Sequence, residues 1–185
     1  MNIPINHKEW AGILRSLAEE NASITAYYDE TNEYKIPLFS STNDEGIIAS
    51  TVGLMDYSQS HEHDIYTEII IDRFGHDERI FNILATAAFY IIKNNWKVRP
   101  GIIFNDIVSM YYPDTNLPHL LFIPPFQWDT ISKVQLTNKT IYPLVAVPIS
   151  EKESQLAESE QDQKLENIWE EQSTNVLDWS RESAV

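Results

Sequence analysis

Residues 77–95, DERIFNILATAAFYIIKNN, leave the chain few ways to fold. Apolar side chains at Ile80, Phe81, Ile83, Leu84, Ala87, Ala88, Phe89, Ile91 and Ile92 pass most of the way round a helix instead of forming one stripe. A helix of that kind has to be buried on most of its surface. The membrane is excluded as its solvent, because the longest nearly apolar run, ILATAAFYII at 83–92, is half the roughly 20 residues a span needs. The segment therefore reads as a helix lying across a sheet. Asp77 is placed to cap its start, and Asn94-Asn95 to end it.

The rest of the chain supplies the sheet. DIYTEIIIDRFG (64–75) alternates and then becomes continuously apolar at Ile69, Ile70 and Ile71, as a central strand does. ITAYYDE (24–30) and YKIPLFSS (34–41) read as a hairpin about Thr31-Asn32-Glu33, with Pro37 predicting an edge or bulged strand. GIIASTVGLMDYS (46–58) is a strand running into a loop, and HLLFI (119–123) and TIYPLVAVPIS (140–150) are two more β segments. Trp10, Ile13, Leu14 and Leu17 form one face of an N-terminal helix over 7–22. Ser150 and Glu153 make a capping box that opens a last helix over 151–172, marked by Leu156, Leu165, Ile168 and Trp169. These elements predict one α+β domain over 1–185, a mixed, mostly antiparallel sheet flanked by helices. Residues 1–24 hold the N-terminal helix and 151–185 an acidic helix and tail. Ile70, Leu84, Phe89, Leu121 and Phe122 are the predicted core.

Charge narrows the function. With 28 acidic and 13 basic residues the net charge is −15, which repels nucleic acid and attracts a basic partner. Cysteine is absent, so thiol catalysis and thiolate metal sites are excluded. MNIPINHKEW shows no basic region followed by an apolar stretch, and the expected location is the cytoplasm.

Few residues carry chemistry. His61-Glu62-His63-Asp64 is the one cluster with metal-ligand types, and a metal-dependent hydrolase using His61, His63 and Asp64 is the catalytic alternative. No third ligand is evident, and a polar loop of this composition is ordinarily solvated. With five glycines, the sequence holds no phosphate loop, dinucleotide fingerprint or nucleophile elbow, so no cofactor is expected. Gly53 and Gly101 read as backbone turns. The predicted last helix carries Glu151, Glu153, Glu158, Glu160, Asp162, Glu166, Glu170 and Glu171 against two lysines. Such runs are usually solvated faces. The sharper reading is a surface for a basic protein, with Glu158, Asp162, Glu166 and Glu170 brought to one side by helical spacing and Tyr111, Tyr112 and Asp114 as anchors beside them.

Several segments, in order, resemble the suppressor-of-fused (SUFU-like) family. They are Thr51-Val52-Gly53-Leu54-Met55-Asp56-Tyr57-Ser58, with Met55 where a small Ser is common; Tyr66-Thr67-Glu68-Ile69-Ile70-Ile71; and the helix Ile80 to Ile92 followed by Pro100-Gly101. Leu117-Pro118-His119-Leu120-Leu121-Phe122 with Pro124-Pro125-Phe126 and Trp128 follows, and Pro148-Ile149-Ser150-Glu151-Lys152-Glu153 through Leu177-Asp178-Trp179-Ser180-Arg181 closes the match, which spans 25–185. The resemblance implies no catalytic residues. It implies an immunity protein that neutralises a toxin's C-terminal nuclease domain, an RNase in preference to a DNase, of a polymorphic LXG-type toxin. A regulatory adaptor that binds a cellular protein is the alternative. The animal relatives' second domain is absent, so their partner site does not transfer, and oligomeric state is not readable.

In LPHLLFIPPFQWD (117–129), alternation sends Leu121 and Ile123 to one layer of the core and Leu120 and Phe122 to the other. Pro124-Pro125 cannot donate ladder bonds and ends the strand, with Phe126 and Trp128 covering the sheet end. His119 then reads as a buried, hydrogen-bonded structural histidine.

Overall fold

A computed structural model describes residues 3–18, 21–57, 66–160 and 163–185. In chain order the elements are α1 (Ile5–Leu17), β1 (Ser23–Tyr28), β2 (Lys35–Thr42), β3 (Gly46–Thr51), a 3₁₀ turn (Leu54–Asp56), β4 (Ile69–Phe74), α2 (Arg79–Asn94), β5 (Ile103–Phe104), β6 (His119–Ile123), β7 (Val134–Gln135), β8 (Thr140–Ile141), β9 (Leu144–Ile149), α3 (Glu151–Glu160) and α4 (Gln163–Glu171). Seven strands form one sheet in the order β1-β2-β3-β4-β9-β6-β5, and β7 and β8 form a separate ladder. Among the described strands of this sheet, β4 and β9 pair in parallel and the other neighbours are antiparallel. The α+β architecture is the one the sequence predicts.

Both faces of the sheet are covered, and period-2 alternation decides which residue goes where. Ile69, Ile71, Leu120 and Phe122 join α2 in one cluster, with Leu84 fully buried. Ile70, Leu121 and Ile123 face the other way, onto Trp10 and Leu14 of α1, Ile141 of β8, and Ala157, Leu165 and Trp169 of α3 and α4. The split expected along β6 holds residue by residue. Phe89 differs, being half-buried, because α2 forms an outer layer and Phe81, Phe89 and Tyr90 pack along its flanks. Asp77 accepts the Arg79 N–H at 3.1 Å, and Asn95 ends α2 in the left-handed region (φ 53°).

Four local readings need correction. β2 is an interior strand, paired with both β1 and β3, despite Pro37. The Pro37 carbonyl accepts the Val52 N–H at 2.9 Å on the β3 side, so its missing N–H faces the point where β3 turns away and costs no ladder bond. α1 stops at Leu17, since Ala18 is extended and Asn21 is left-handed (φ 54°), so β1 starts at Ser23. The 140–150 segment is two strands, because Pro143 separates β8 from β9.

The last helix is also two. In one continuous helix Glu153 and Trp169 would stand about 24 Å apart, at 1.5 Å per residue. Instead the Trp169 indole N–H donates to Glu153 Oε1 at 2.9 Å, so α4 folds back on α3.

Candidate functional site: an apolar groove with an acidic rim

The exit of β6 builds one wall of a groove of about 610 Å³. Pro124 and Pro125 end the strand, and Phe126 is left 50% exposed instead of covering the sheet end; Trp128 is half-buried against the core. Two prolines hold the backbone extended and stop Phe126 from folding back onto the sheet. The opposite wall is α4 and the turn after it, with Glu166, Trp169, Glu170, Ser173, Thr174 and Val176. An apolar floor thus meets two carboxylates.

The rim is held where the fold does not favour it. α4 ends on Glu170 and Glu171 with no basic residue in its last turn. A helix C-terminus favours cations, and each misplaced charge costs about 0.3–1 kcal/mol when exposed. Ser173 closes the turn in the left-handed region (φ 53°), with Thr174 N–H donating to Trp169 carbonyl at 2.8 Å.

Below the groove, Glu153 holds the C-terminal region together. It is fully buried and accepts from Arg181 Nη1 at 2.7 Å and Nη2 at 3.1 Å, from Trp169, from Ser150 N–H at 2.8 Å and from Ala184 N–H at 3.2 Å. Ser150 Oγ accepts the Glu153 N–H at 3.1 Å, completing the capping box the sequence predicts. Burial opposes ionisation, but the Arg181 bonds and the other donors outweigh it and hold the carboxyl below its ordinary range.

His119 is buried and structural. Asp106 N–H donates to Nδ1 at 3.1 Å, so the proton sits on Nε2, which donates to Glu151 Oε2 at 2.9 Å. This ties the first residue of α3 to the first residue of β6.

The remaining predicted site residues scatter. Glu158 is exposed on α3, while Glu166 and Glu170 lie on α4, so no single helical face carries them; Asp162 lies outside the described residues. Tyr111 and Tyr112 pack on the α2 side of the sheet, the face opposite α4, and are not anchors beside the acids. The Tyr111 hydroxyl is bonded to Thr86 Oγ1 at 2.6 Å. Tyr112 and the exposed Asp114 line a second cleft, and burial pushes the Tyr112 hydroxyl up to about 12. His61, His63 and Asp64 lie outside the described residues. Phe126 and Trp169 are the groove residues that sequence reasoning did not assign to a site. An aromatic directly after Pro-Pro was the available signal for Phe126.

A second buried carboxylate organises the other end of the sheet. Glu68 accepts from Thr51 Oγ1 at 2.5 Å, Gly53 N–H at 2.8 Å and Met55 N–H at 3.1 Å, capping the 3₁₀ turn. Gly53 is required there: its φ is 111°, and a Cβ would lie 2.5 Å from the His7 ring. The first two segments of the family resemblance, 51–58 and 66–71, therefore meet at one structural knot.

This seven-stranded mixed sheet has the suppressor-of-fused fold, and residues 31–182 match the family model for suppressor of fused protein (SUFU). The chain belongs to that family. It is 34% identical over 169 residues to the immunity protein YqcF of Bacillus subtilis (strain 168), covering 88% of each chain. Among solved structures it superposes on a SUFU homologue from Neisseria gonorrhoeae with a TM-score of 0.79 at 15% identity, covering 98% of this chain and 97% of that one. A chain of the Sufu–Fu complex gives 0.74 at 11% identity, over 99% and 93%. The chain covers 42% of Drosophila Suppressor of Fused, at a TM-score of 0.58 and 12% identity. At these identities the structures speak for the fold alone. Among the described residues no helix is long and apolar enough to cross a membrane.

Proposed function

We propose that this protein is an immunity protein that occludes the toxic domain of a cognate toxin by stoichiometric binding, without turnover. The likeness to YqcF over most of both chains carries the reading. The groove between Pro124–Phe126 and α4 is the docking surface: Phe126 supplies an apolar anchor, and Glu166 and Glu170 meet basic side chains. The toxin domain is a basic nuclease, an RNase in preference to a DNase. An enzyme that handles phosphate backbones is cationic where the phosphate sits, and a chain of net charge −15 exploits that field. Charge of this kind raises the association rate, which matters for a partner that must be caught before damage occurs.

The test is co-purification with the product of the neighbouring gene, followed by nuclease assays on RNA and DNA. A one-to-one complex that silences RNA cleavage supports the proposal. Loss of silencing in Phe126→Ala with folding intact places the contact at the groove. A complex with a non-nuclease cellular protein instead would favour the adaptor reading.

A further inference from the structure

A second cleft, of about 400 Å³, opens on the α2 side of the sheet near the C-terminal tail, lined by Arg73, Asp77, Arg79, Tyr112, Asp114 and Trp179 among others. Its hydrogen bonds do not balance. Arg73, near the end of β4, has a side chain only 16% exposed, yet its guanidinium donates no hydrogen bond among the described residues. Its nearest carboxylate, Asp77, is 4.0 Å away and already taken by Arg79, whose Nη2 lies 2.6 Å from the same oxygen. Arg181 is neutralised beneath by Glu153, and Asp178 is occupied by the Ser180 N–H at 2.9 Å and hydroxyl at 2.6 Å. The Trp179 indole N–H, on a residue 7% exposed, is buried without an acceptor as well.

Buried donors are normally satisfied, and an orphaned pair of this kind costs the full desolvation of each group. The Arg73 Nε–H and the Trp179 indole N–H, both buried without an acceptor among the described residues, call for an oxygen ligand. The guanidinium carbon stands 5.9 Å from the Tyr112 ring centroid and 6.0 Å from that of Trp179. We propose that this cleft binds a single carboxylate, gripped by Arg73 with Trp179 as second donor. A doubly charged phosphate is disfavoured because Asp77 and Asp114 also line the cleft. The site is separate from the groove, since Trp179 and Tyr112 belong to the α2-side cluster and Trp169 to the other.

The experiment follows the indole N–H resonance of Trp179, assigned through Trp179→Phe, in the intact protein titrated with acetate, phosphate or chloride at equal ionic strength. Acetate shifts it saturably, with a Kd on the order of millimolar for so small a probe; chloride does not, and phosphate binds more weakly. Acetyl-glutamyl amide binding more tightly than acetate marks a peptide-borne carboxylate, and the reverse a free acid. Arg73→Met abolishes the shift while its melting temperature without anion equals or exceeds that of the parent, because an unmet buried charge has been removed. A missing acetate shift, a tighter phosphate, a shift that survives Arg73→Met, or a destabilised Arg73→Met would overturn the proposal.

Discussion

Glu68 and Glu153 are both fully buried carboxylates, and the two ends of the molecule handle them in opposite ways. Glu68 meets only neutral donors, the Thr51 hydroxyl and backbone N–H groups of the Gly53 turn. Desolvation wins, and its carboxyl rises to about 7. Glu153 has a guanidinium, and its carboxyl falls below the ordinary range. Neutral donors can shape a turn around a buried acid. Only a counter-charge makes the acid hold separate segments together while ionised, and at the C-terminus α3, α4 and the tail all converge on that one side chain.

The largest effect comes from breaking the charged end. Arg181→Met leaves the Glu153 charge buried and unpaired, and costs about 3–5 kcal/mol in urea unfolding. Pairing it with Glu153→Gln, which removes the unpaired charge and keeps one carbonyl acceptor for either Ser150 or Trp169, recovers more than half of that loss. A single-mutant cost under about 1 kcal/mol would mean that the tail is not part of the cooperative unit.

The neutral end predicts a pH signature of the opposite sign. Glu68 titrates at about 7 when folded, above its unfolded value of 4.5, so between those values the folded state binds the extra proton. Its contribution is full below pH 4.5 and is lost as pH rises through 7, a change of a few kcal/mol. Glu153 behaves the other way: its contribution is present above pH 4.5 and is lost as pH falls through its lowered folded value. Glu68→Gln flattens the upper slope. It costs about 1 kcal/mol or less at pH 5, because a glutamine oxygen still accepts from the Gly53 turn and its amide can face Thr51 Oγ1. If chemical denaturation between pH 5 and 7.5 shows the same slope in the variant, Glu68 is not its source.

The two knots were unequally legible. Ser150 and Glu153 announce themselves as a capping box, three residues apart and local in sequence. Arg181 and Trp169 do not, because nothing in local periodicity says that the chain returns. The reading of one helix over 151–172 failed for the same reason. Neither Gly nor Pro stands between the segments that form α3 and α4, and what brings the two together is tertiary, the burial of Trp169 against Glu153. Alternation along β6 was readable to the residue, since a strand buried on both faces has no freedom of register. Pro37 misled because a proline's cost depends on which neighbour its nitrogen faces. Glu166 and Glu170 were visible as charge, whereas their apolar counterpart Phe126 comes from a distant strand end. Arg73 and Trp179 meet only through the fold.

Exposed carboxylates should complete the contrast with buried ones, since they act on encounter and scarcely on stability. Glu170 is exposed at the groove rim, Glu166 is half-buried beside it, and Glu158 is exposed on α3 away from the groove lining. Neutralising Glu166 and Glu170 to Gln changes unfolding free energy by about 0.5 kcal/mol or less, and relief at the α4 C-terminus makes Glu170→Gln slightly stabilising. The same pair slows association with a basic toxin domain several-fold at low salt and leaves the off-rate nearly unchanged, because rim charges steer encounter and do not anchor it. Phe126→Ala does the reverse, raising the off-rate with little change in the on-rate. Glu158→Gln is the control, since it alters net charge equally but not the groove. If Glu158→Gln slows association as much as Glu170→Gln across a salt series, steering belongs to the whole acidic surface, and the groove contributes only its apolar floor.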